Sequence, residues 1–506
     1  MESLIQQVIT GFIDIWHLQH LMAIALGVFG GIAIGALPGL TATMSVAILT
    51  PITFAMNPMT GISMLLGVFC GGIYGGSITA ILIRTPGTPA AIATVFDGYP
   101  MAQKGMAGQA LAMALFASFC GGIISALILI FTAPTLAKIA LEFGPPEYFG
   151  ITVFGISIIA SVSGERLIKG LIAGIFGLLL STVGMDPVTG VPRFTYGATT
   201  MLSGFSLIPV LIGIFATAEV FYRVAIVESP KEKITFQENN IKGLFIPLSL
   251  IGKNALNIIR SALIGTFIGI VPGTGGGIAA FIAYAESKRA SKHPEKFGTG
   301  IVEGVAAPEA ANNATTGGAL IPMLTLGIPG DPVTAILIGA FMIQGFMPGP
   351  LLFQQHGRIV FALFAGLLIA NIMMLGMGIL GIRLFSKVIK VPMSILSPTI
   401  LCLCFVGSYA VGNSMLDVAA MLALGMVGFF MRRHDFPGAP IVIAFILGPL
   451  VEKSLRQSLA ISQGSWNIFV TSPICISFLI LTVLSMAFSI NRSRKREEKE
   501  SSLGYQ

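Results

Sequence analysis

Charged side chains are sparse in this chain: only 10% of its 506 residues are Asp, Glu, Lys or Arg, against roughly 25% in an average soluble protein. That deficit excludes a string of soluble domains, which would lack the charge to coat their surfaces. Histidines number five, and His17, His20 and His293 fall near expected helix ends or in a loop, so a redox-metal core is not expected. The five cysteines, Cys70, Cys120, Cys402, Cys404 and Cys475, sit in apolar runs without CxxC or Cys/His spacing. They read as small hydrophobes rather than zinc ligands. No Lys or Arg precedes Arg84, so the start of the chain lacks the basic region of a signal peptide. Also missing are a GxxxxGK[ST] nucleotide loop, a GxSxG elbow and an HExxH helix. No catalytic residues or cofactor are therefore expected.

What is abundant is apolar surface. Hydrophobic residues make up 54% of the chain, and the mean hydropathy is +0.89. Runs of about 20 apolar residues recur from Leu21 to Ile490, each able to cross a hydrocarbon core about 30 Å thick at 1.5 Å per residue. The runs are continuous rather than alternating, which excludes a barrel. The expected fold is an all-α polytopic membrane protein with about 12 membrane segments. A net charge of +7 would hint at nucleic acid in a soluble protein. Here the basic residues gather in short loops and the C-terminal tail, where they orient the chain, and no nucleic-acid partner is expected.

Glycine (61) and proline (28) are frequent, often inside the apolar runs, so the helices must be interrupted. Gly35-Ala-Leu-Pro38-Gly39-Leu-Thr41 lies between two apolar arms, and Gly269-Ile-Val-Pro272-Gly273-Thr274-Gly275 lies between two similar arms 234 residues later. Each reads as a broken or re-entrant helical hairpin with a Pro-Gly tip. Downstream, Gly75-Gly76-Ser77 leads to Pro86-Gly87-Thr88-Pro89, and Gly317-Gly318-Ala319 leads to Pro329-Gly330-Asp331-Pro332, an offset of 243. Pro-Gly pairs alone are common in a glycine-rich chain, but matching order and spacing favour a duplicated unit. A polar stretch, Glu228 to Lys242, divides the halves. The expected organisation is an N-terminal membrane repeat over 1–240, a C-terminal repeat over 241–490 and a basic tail over 491–506.

Basic residues give the relative orientation. The first hairpin has none nearby, whereas Lys253 and Arg260 precede the second and Lys288, Arg289, Lys292 and Lys296 follow it. By the positive-inside rule the second hairpin opens to the cytoplasm and the first to the outside, the pattern of inverted-topology repeats. The tail, with Arg492, Arg494, Lys495, Arg496 and Lys499, is placed in the cytoplasm as a topology anchor. Arg166, Lys169, Arg383, Lys387, Lys390, Arg432 and Arg433 follow apolar runs and read as further topology charges.

A helix broken inside a membrane leaves N–H and C=O groups that need partners. The N-terminus of the following half-helix suits a carboxylate, and the carbonyl end of the preceding one suits a cation. The candidate substrate-binding residues are therefore Pro38, Gly39, Thr41 and Thr43 at the first tip, Pro272, Gly273, Thr274 and Gly275 at the second, and Ser77 and Thr88 opposite them. The stretch Glu303 to Thr316 adds Asn312, Asn313 and Thr315, packing two carboxylates, two amides and two hydroxyls into 14 residues. Glu309 is expected to begin a helix there. The plain alternative is a loop cap with Asn pairs bridging helices. Gly87, Gly276, Glu309, Gly330 and Asp331 are candidates for a coupling ion. Arg84 lies at a break as well, as a site residue or as a snorkelling helix-end charge.

At these residues the sequence resembles the tripartite tricarboxylate transporters, specifically their large, TctA-type membrane subunit, from about residue 20 to 490. The resemblance rests on Gly35-Ala-Leu-Pro-Gly-Leu-Thr-Ala, Gly71-Gly-Ile-Tyr-Gly-Gly-Ser, Pro86-Gly-Thr-Pro, Pro272-Gly-Thr-Gly and Glu303 to Asn313. It implies a multi-pass carrier in the bacterial inner membrane that takes up citrate or a related carboxylate on a cation gradient. It also implies a small four-helix TctB-type membrane partner and a periplasmic TctC-type binding protein. Moving a trianion inward against 100 mV costs roughly 7 kcal/mol, so uptake needs coupling. The tips offer carbonyls and hydroxyls rather than chains of buried His or Asp, which favours Na+ over H+ as the coupling ion. An elevator-like motion of a transport unit against a scaffold follows if the hairpins enclose one site. The rival readings are a carrier for another small solute without a binding protein, a channel, and an intramembrane hydrolase.

Overall fold

The structure is a computed structural model and describes residues 4–85, 87–157, 159, 167–186, 188–225, 247–388 and 391–502. Pro86, Arg166, Lys390, the stretch from Glu228 to Lys242 and the last four residues of the tail, all singled out above, lie outside the described residues. The chain is built from helices, in which each segment satisfies its own backbone. In the first half these are α1 (Leu4–Asp14), α2 (Leu18–Gly35), α3 (Ala42–Leu49), α4 (Pro58–Ile83), α5 (Ile92–Gln103), α6 (Ala107–Ala140), α7 (Pro145–Ser157) and α8 (Leu167–Ser181). A two-residue antiparallel hairpin, β1 (Gly184–Met185) and β2 (Pro192–Arg193), follows, and then α9 (Leu207–Ala225), which contains a π-helical turn.

The second half contributes α10 (Leu248–Ile270), α11 (Gly275–Ala290), α12 (Glu303–Leu326), α13 (Pro332–Ile343), α14 (Pro350–Val388) and α15 (Met393–Gly412). It closes with α16 (Met415–Arg433), α17 (Ala439–Ile461), the single turn α18 (Ile468–Thr471) and α19 (Pro473–Ser502). Among the described residues seven helices are long and apolar enough to cross a membrane. Shorter apolar helices, Ala42–Ala55 and Pro332–Ile343 among them, account for part of the difference from the expected 12.

Two compact units make up the chain, and each takes residues from both sides of position 240. The first holds residues 1–137 and 226–407 and contains both Pro-Gly tips. Within it one order of elements occurs twice: helix, tip, helix, long buried helix, break, short helix, long helix. The first series is α2 to α6 and the second α10 to α14. Every residue of α4 from Thr60 to Leu82 is buried, as is every residue of α12 from Gly304 to Thr325. For α4 this matches an apolar surface all round. For α12 it does not, because its buried length carries Glu309, Asn312, Asn313, Thr315 and Thr316.

Glycines let each hairpin arm approach its long helix at backbone contact. A Cβ on Gly31 would strike the Val68 carbonyl, and one on Gly265 would strike that of Ala311. Likewise Gly35 abuts Gly72 and Gly269 abuts Thr315, while Gly75 faces the Ile32 carbonyl and Gly318 that of Thr266. In each comparison the hairpin residues lie 234 positions apart and the long-helix residues 243, the offsets of the sequence motifs.

The second unit holds residues 138–225 and 408–506. Gly177 on α8 lies against the Ile441 carbonyl of α17, and Gly150 on α7 lies against Cys475 of α19. The π-helical turn of α9 brings Gly213 to the Met421 carbonyl of α16. Buried Glu219 pairs with Arg223 and with Arg432, whose guanidinium also lies over Tyr222 at 4.3 Å. Arg432, read from sequence as a topology charge, therefore neutralises a buried carboxylate. In the β1–β2 loop, the N–H groups of Val188 and Thr189, with Arg456 nearby, hold the Asp186 carboxyl down at about 2.

Candidate functional site

The two tips share a backbone form and differ in how their polar groups are used. Gly39 and Gly273 both have φ 77°, left-handed backbone that glycine adopts without strain. At the first tip Thr41 caps α3, its hydroxyl accepting from Met44 N at 3.2 Å, and Ser45 Oγ donates to the Thr41 carbonyl. Pro38, Gly39 and Thr43 are partly exposed beside it. At the second tip Thr274 Oγ1 donates to the carbonyls of Ile268 (2.5 Å) and Val271 (2.8 Å), closing the end of α10. Gly273 N donates to Gly330 O at 2.6 Å. Some of the donors expected to face a ligand are thus used by the protein, while Pro272, Gly275 (φ 64°) and Gly276 stay partly exposed.

The breaks after α4 and α12 are also comparable. Arg84 and Gly327 end these helices in left-handed backbone, φ 58° and 72°. Arg84 is exposed, its guanidinium 5.9 Å from the Tyr99 ring, and it stays out of the cluster described next. Gly87 donates to Gly76 O and leaves no room for a Cβ beside the Gly35 carbonyl. Gly330 packs equally closely on Ala319. Asp331 caps α13 in a capping box with Thr334, which occupies its Oδ1.

The second tip, the first break and one turn of α12 converge. Gly276 lies against Asn312 Oδ1, Ala90 and Thr315 Oγ1, Gly277 lies against Pro89 and Ala90, and Thr88 packs on Gly76. Thr315 Oγ1 is turned back onto the Asn312 carbonyl at 2.6 Å. Asn312 and Asn313 are buried, and among the described residues neither Nδ2 nor Oδ1 of either has a hydrogen-bond partner. Thr88 Oγ1 is buried and unpartnered as well. A buried amide without a partner costs about 1–3 kcal/mol per group, so a pair of them marks a place built for something else. Each amide offers two N–H donors and a carbonyl acceptor, a set that suits a carboxylate and an accompanying cation or water. At the positions 243 earlier, α4 carries Phe69 and Cys70, so the amides belong to one series alone.

The tripartite tricarboxylate transporter TctA family model matches residues 21–443. The chain belongs to the TctA family. It is thus a multi-pass membrane protein of a transporter family, not an enzyme. Two relatives come from Agrobacterium vitis. The "Uncharacterized 52.8 kDa protein in TAR-I ttuC' 3'region" is 37% identical over 500 residues, 99% of both chains. The "Uncharacterized protein in TAR-II ttuC' 3'region" is 37% identical over 234 residues, 46% of this chain and 97% of that one. No solved structure matches.

In this TctA-family chain the expected helix start at Glu309 is corrected, because α12 begins at Glu303 and continues through Pro308. Glu309 lies inside the helix, fully buried, where its carboxylate accepts hydrogen bonds from Ser77 of α4 (2.5 Å), Thr94 of α5 and Ser118 of α6 (3.1 Å). Sequence reasoning found Ser77 but missed Thr94 and Ser118, single hydroxyls in apolar surroundings with no local signal.

It also missed Asp97. This buried residue of α5 accepts from the backbone N–H groups of Gly298, Gly300 and Ile301 and from Tyr284 OH at 2.8 Å, and so ties the loop before α12 to the first series. Lys104 adds a bond to Thr299 O. Hydrogen bonds to a charged group are worth about 1.5–3 kcal/mol each. Asp97→Asn should therefore speed tryptic cleavage after Lys296 about tenfold or more. Unchanged cleavage would show that the loop is held by other contacts.

Proposed function

We propose that the chain is the large transport subunit of a binding-protein-dependent secondary transporter that imports citrate or a related di- or tricarboxylate on a cation gradient. The observation that carries this reading is the buried, unpartnered amide of Asn312, set where the second tip meets the first break, with the equally unpartnered amide of Asn313 next to it on α12. Neutral, preoriented N–H donors at such a place suit a carboxylate, which loses its hydration on entry and needs donors in exchange. Family membership supports a TctB-type membrane partner and a periplasmic TctC-type binding protein, and location in a bacterial inner membrane. The recurring glycine contacts at offsets of 234 and 243 support a duplicated unit, and the distribution of basic residues supports its inversion with the tail in the cytoplasm.

Alternating exposure of the site then follows from movement of one part of the chain against another, an elevator-like stroke in our reading. Crosslinks that keep one spacing between the moving part and its scaffold in both states would contradict that stroke. The carbonyls and hydroxyls of the tips, in place of chains of buried His or Asp, favour Na+ as the coupling ion. Glu309, buried within one turn of the amides, weakens that preference and brings H+ forward.

Counterflow tests the reading. Vesicles containing the purified chain and preloaded with unlabelled citrate or another di- or tricarboxylate should take up the labelled compound faster than empty ones. A chain that passes solute without this acceleration would be a pore. Acceleration by neutral solutes but by no carboxylate would remove the substrate class.

A further inference from the structure

We infer that Glu309 exchanges one proton per transport cycle, which makes H+ a coupling ion of this protein. The inference rests on the transport reading above and names the ion that reading leaves open. Its basis is the kind of partner Glu309 has. Among the described residues its hydrogen-bond partners are Ser77, Thr94 and Ser118, hydroxyls supplied by three different helices. A hydroxyl donates to a carboxylate and, after rotating, accepts from a carboxylic acid. Such a shell satisfies both protonation states without moving the backbone.

Asp97 shows the contrast within the same unit. Three of its donors are backbone N–H groups, which cannot accept a proton and so serve the ionised form alone. Ser77 Oγ meets the Glu309 carboxylate directly, at 2.5 Å.

Among the described residues no cation is ion-paired to Glu309. Among the ionisable groups on the elements around it are Cys70 and Tyr74 on α4, Asp97 and Tyr99 on α5, Cys120 and Lys138 on α6, Lys253 and Arg260 on α10, Tyr284, Glu286, Lys288 and Arg289 on α11, and Glu303 on α12 itself. None of them is bonded or ion-paired to it: Asp97 is engaged by Tyr284 and the loop, and Arg260 and Glu286 face each other at 3.7 Å. A fully buried carboxylate with no counter-charge is costly. A proton removes that cost, and its release restores it. Glu309, Asn312 and Asn313 stand at i, i+3 and i+4 on one helix, so the proton and the substrate meet on a single face. In each cycle Glu309 takes a proton from the outer aqueous phase when the site faces outward. It gives that proton to the cytoplasmic phase when the site faces inward, and no bond other than O–H is made or broken.

Two measurements on the full chain test this. In vesicles at fixed outside pH, one proton per cycle raises steady-state carboxylate accumulation about tenfold for each unit by which the inside is made more alkaline. Glu309→Gln should show no such response, whatever its residual rate. A variant that keeps the response, or a wild type driven by a Na+ gradient alone, overturns the inference. The second measurement needs no substrate. Infrared difference spectra of the wild type across pH should contain a protonated-carboxyl C=O band that is absent from Glu309→Gln and shifted in frequency in Thr94→Val. A pH difference spectrum identical in wild type and Glu309→Gln overturns the inference. If the band behaves as stated while no carboxylate shows counterflow, the proton site stands and the substrate assignment falls.

Discussion

Asn312→Ala should lower carboxylate uptake at least about tenfold while leaving the amount and thermal stability of the protein in the membrane unchanged. The dissociation of the two effects follows from the bonding of the side chain. Its Nδ2 and Oδ1 have no partner among the described residues, so truncation breaks none of the hydrogen bonds seen there and removes two buried unsatisfied groups. A ligand carboxylate, in contrast, loses a donor worth about 1.5–3 kcal/mol, which is roughly ten- to a hundredfold in affinity. Thr274→Ala provides the comparison, because that hydroxyl bonds the Ile268 and Val271 carbonyls. Stability and uptake should fall together there, and Thr274→Ser should restore both. Parallel losses in Asn312→Ala would assign the amide to packing and leave the proposed seat without its main support.

Gly265→Val should abolish most of the folded protein recovered in detergent. The new Cβ would meet the Ala311 carbonyl, an atom of a fully buried helix that cannot rotate aside. Overpacking of this kind costs about 1–3 kcal/mol and sometimes more, a large part of a total stability of about 5–15 kcal/mol. Gly252 lies in the same helix with open space around its Cα. Gly252→Ala should therefore be neutral or slightly stabilising through its gain in helix propensity. Comparing the monodisperse fraction and melting temperature of the two variants checks the argument. Equal behaviour would mean that the contact between α10 and α12 is not tight.

The membrane class, the two tips and the two breaks were legible because they depend on local features: run length, Pro-Gly pairs and the offsets between them. Asn312 and Asn313 stood out because amides are conspicuous in an apolar run. Ser118 did not, since a serine in an apolar 34-residue helix that also carries Ser125 gives no sign of the helix it will face. Asp97 was missed for a related reason: its partners are backbone groups some 200 residues away, and the N–H groups of Gly298 and Gly300 leave no trace in side-chain chemistry. The start of α12 was misjudged because Pro308 suggests a helix beginning, whereas the chain carries this proline in mid-helix. Arg432 looked like an interfacial charge because Glu219, its partner, lies more than 200 positions away.

The notched contact between α10 and α12 limits how the site can be opened. Turning α10 about its axis by one residue would press Ile264 or Thr266 into the Ala311 backbone, and sliding it by three residues would press Ala262 or Ile268 there, instead of Gly265. The pair is therefore meshed like a gear, and any change that turns the amides from one side of the membrane to the other must carry both helices as one rigid piece, with the bending confined to the links at their ends.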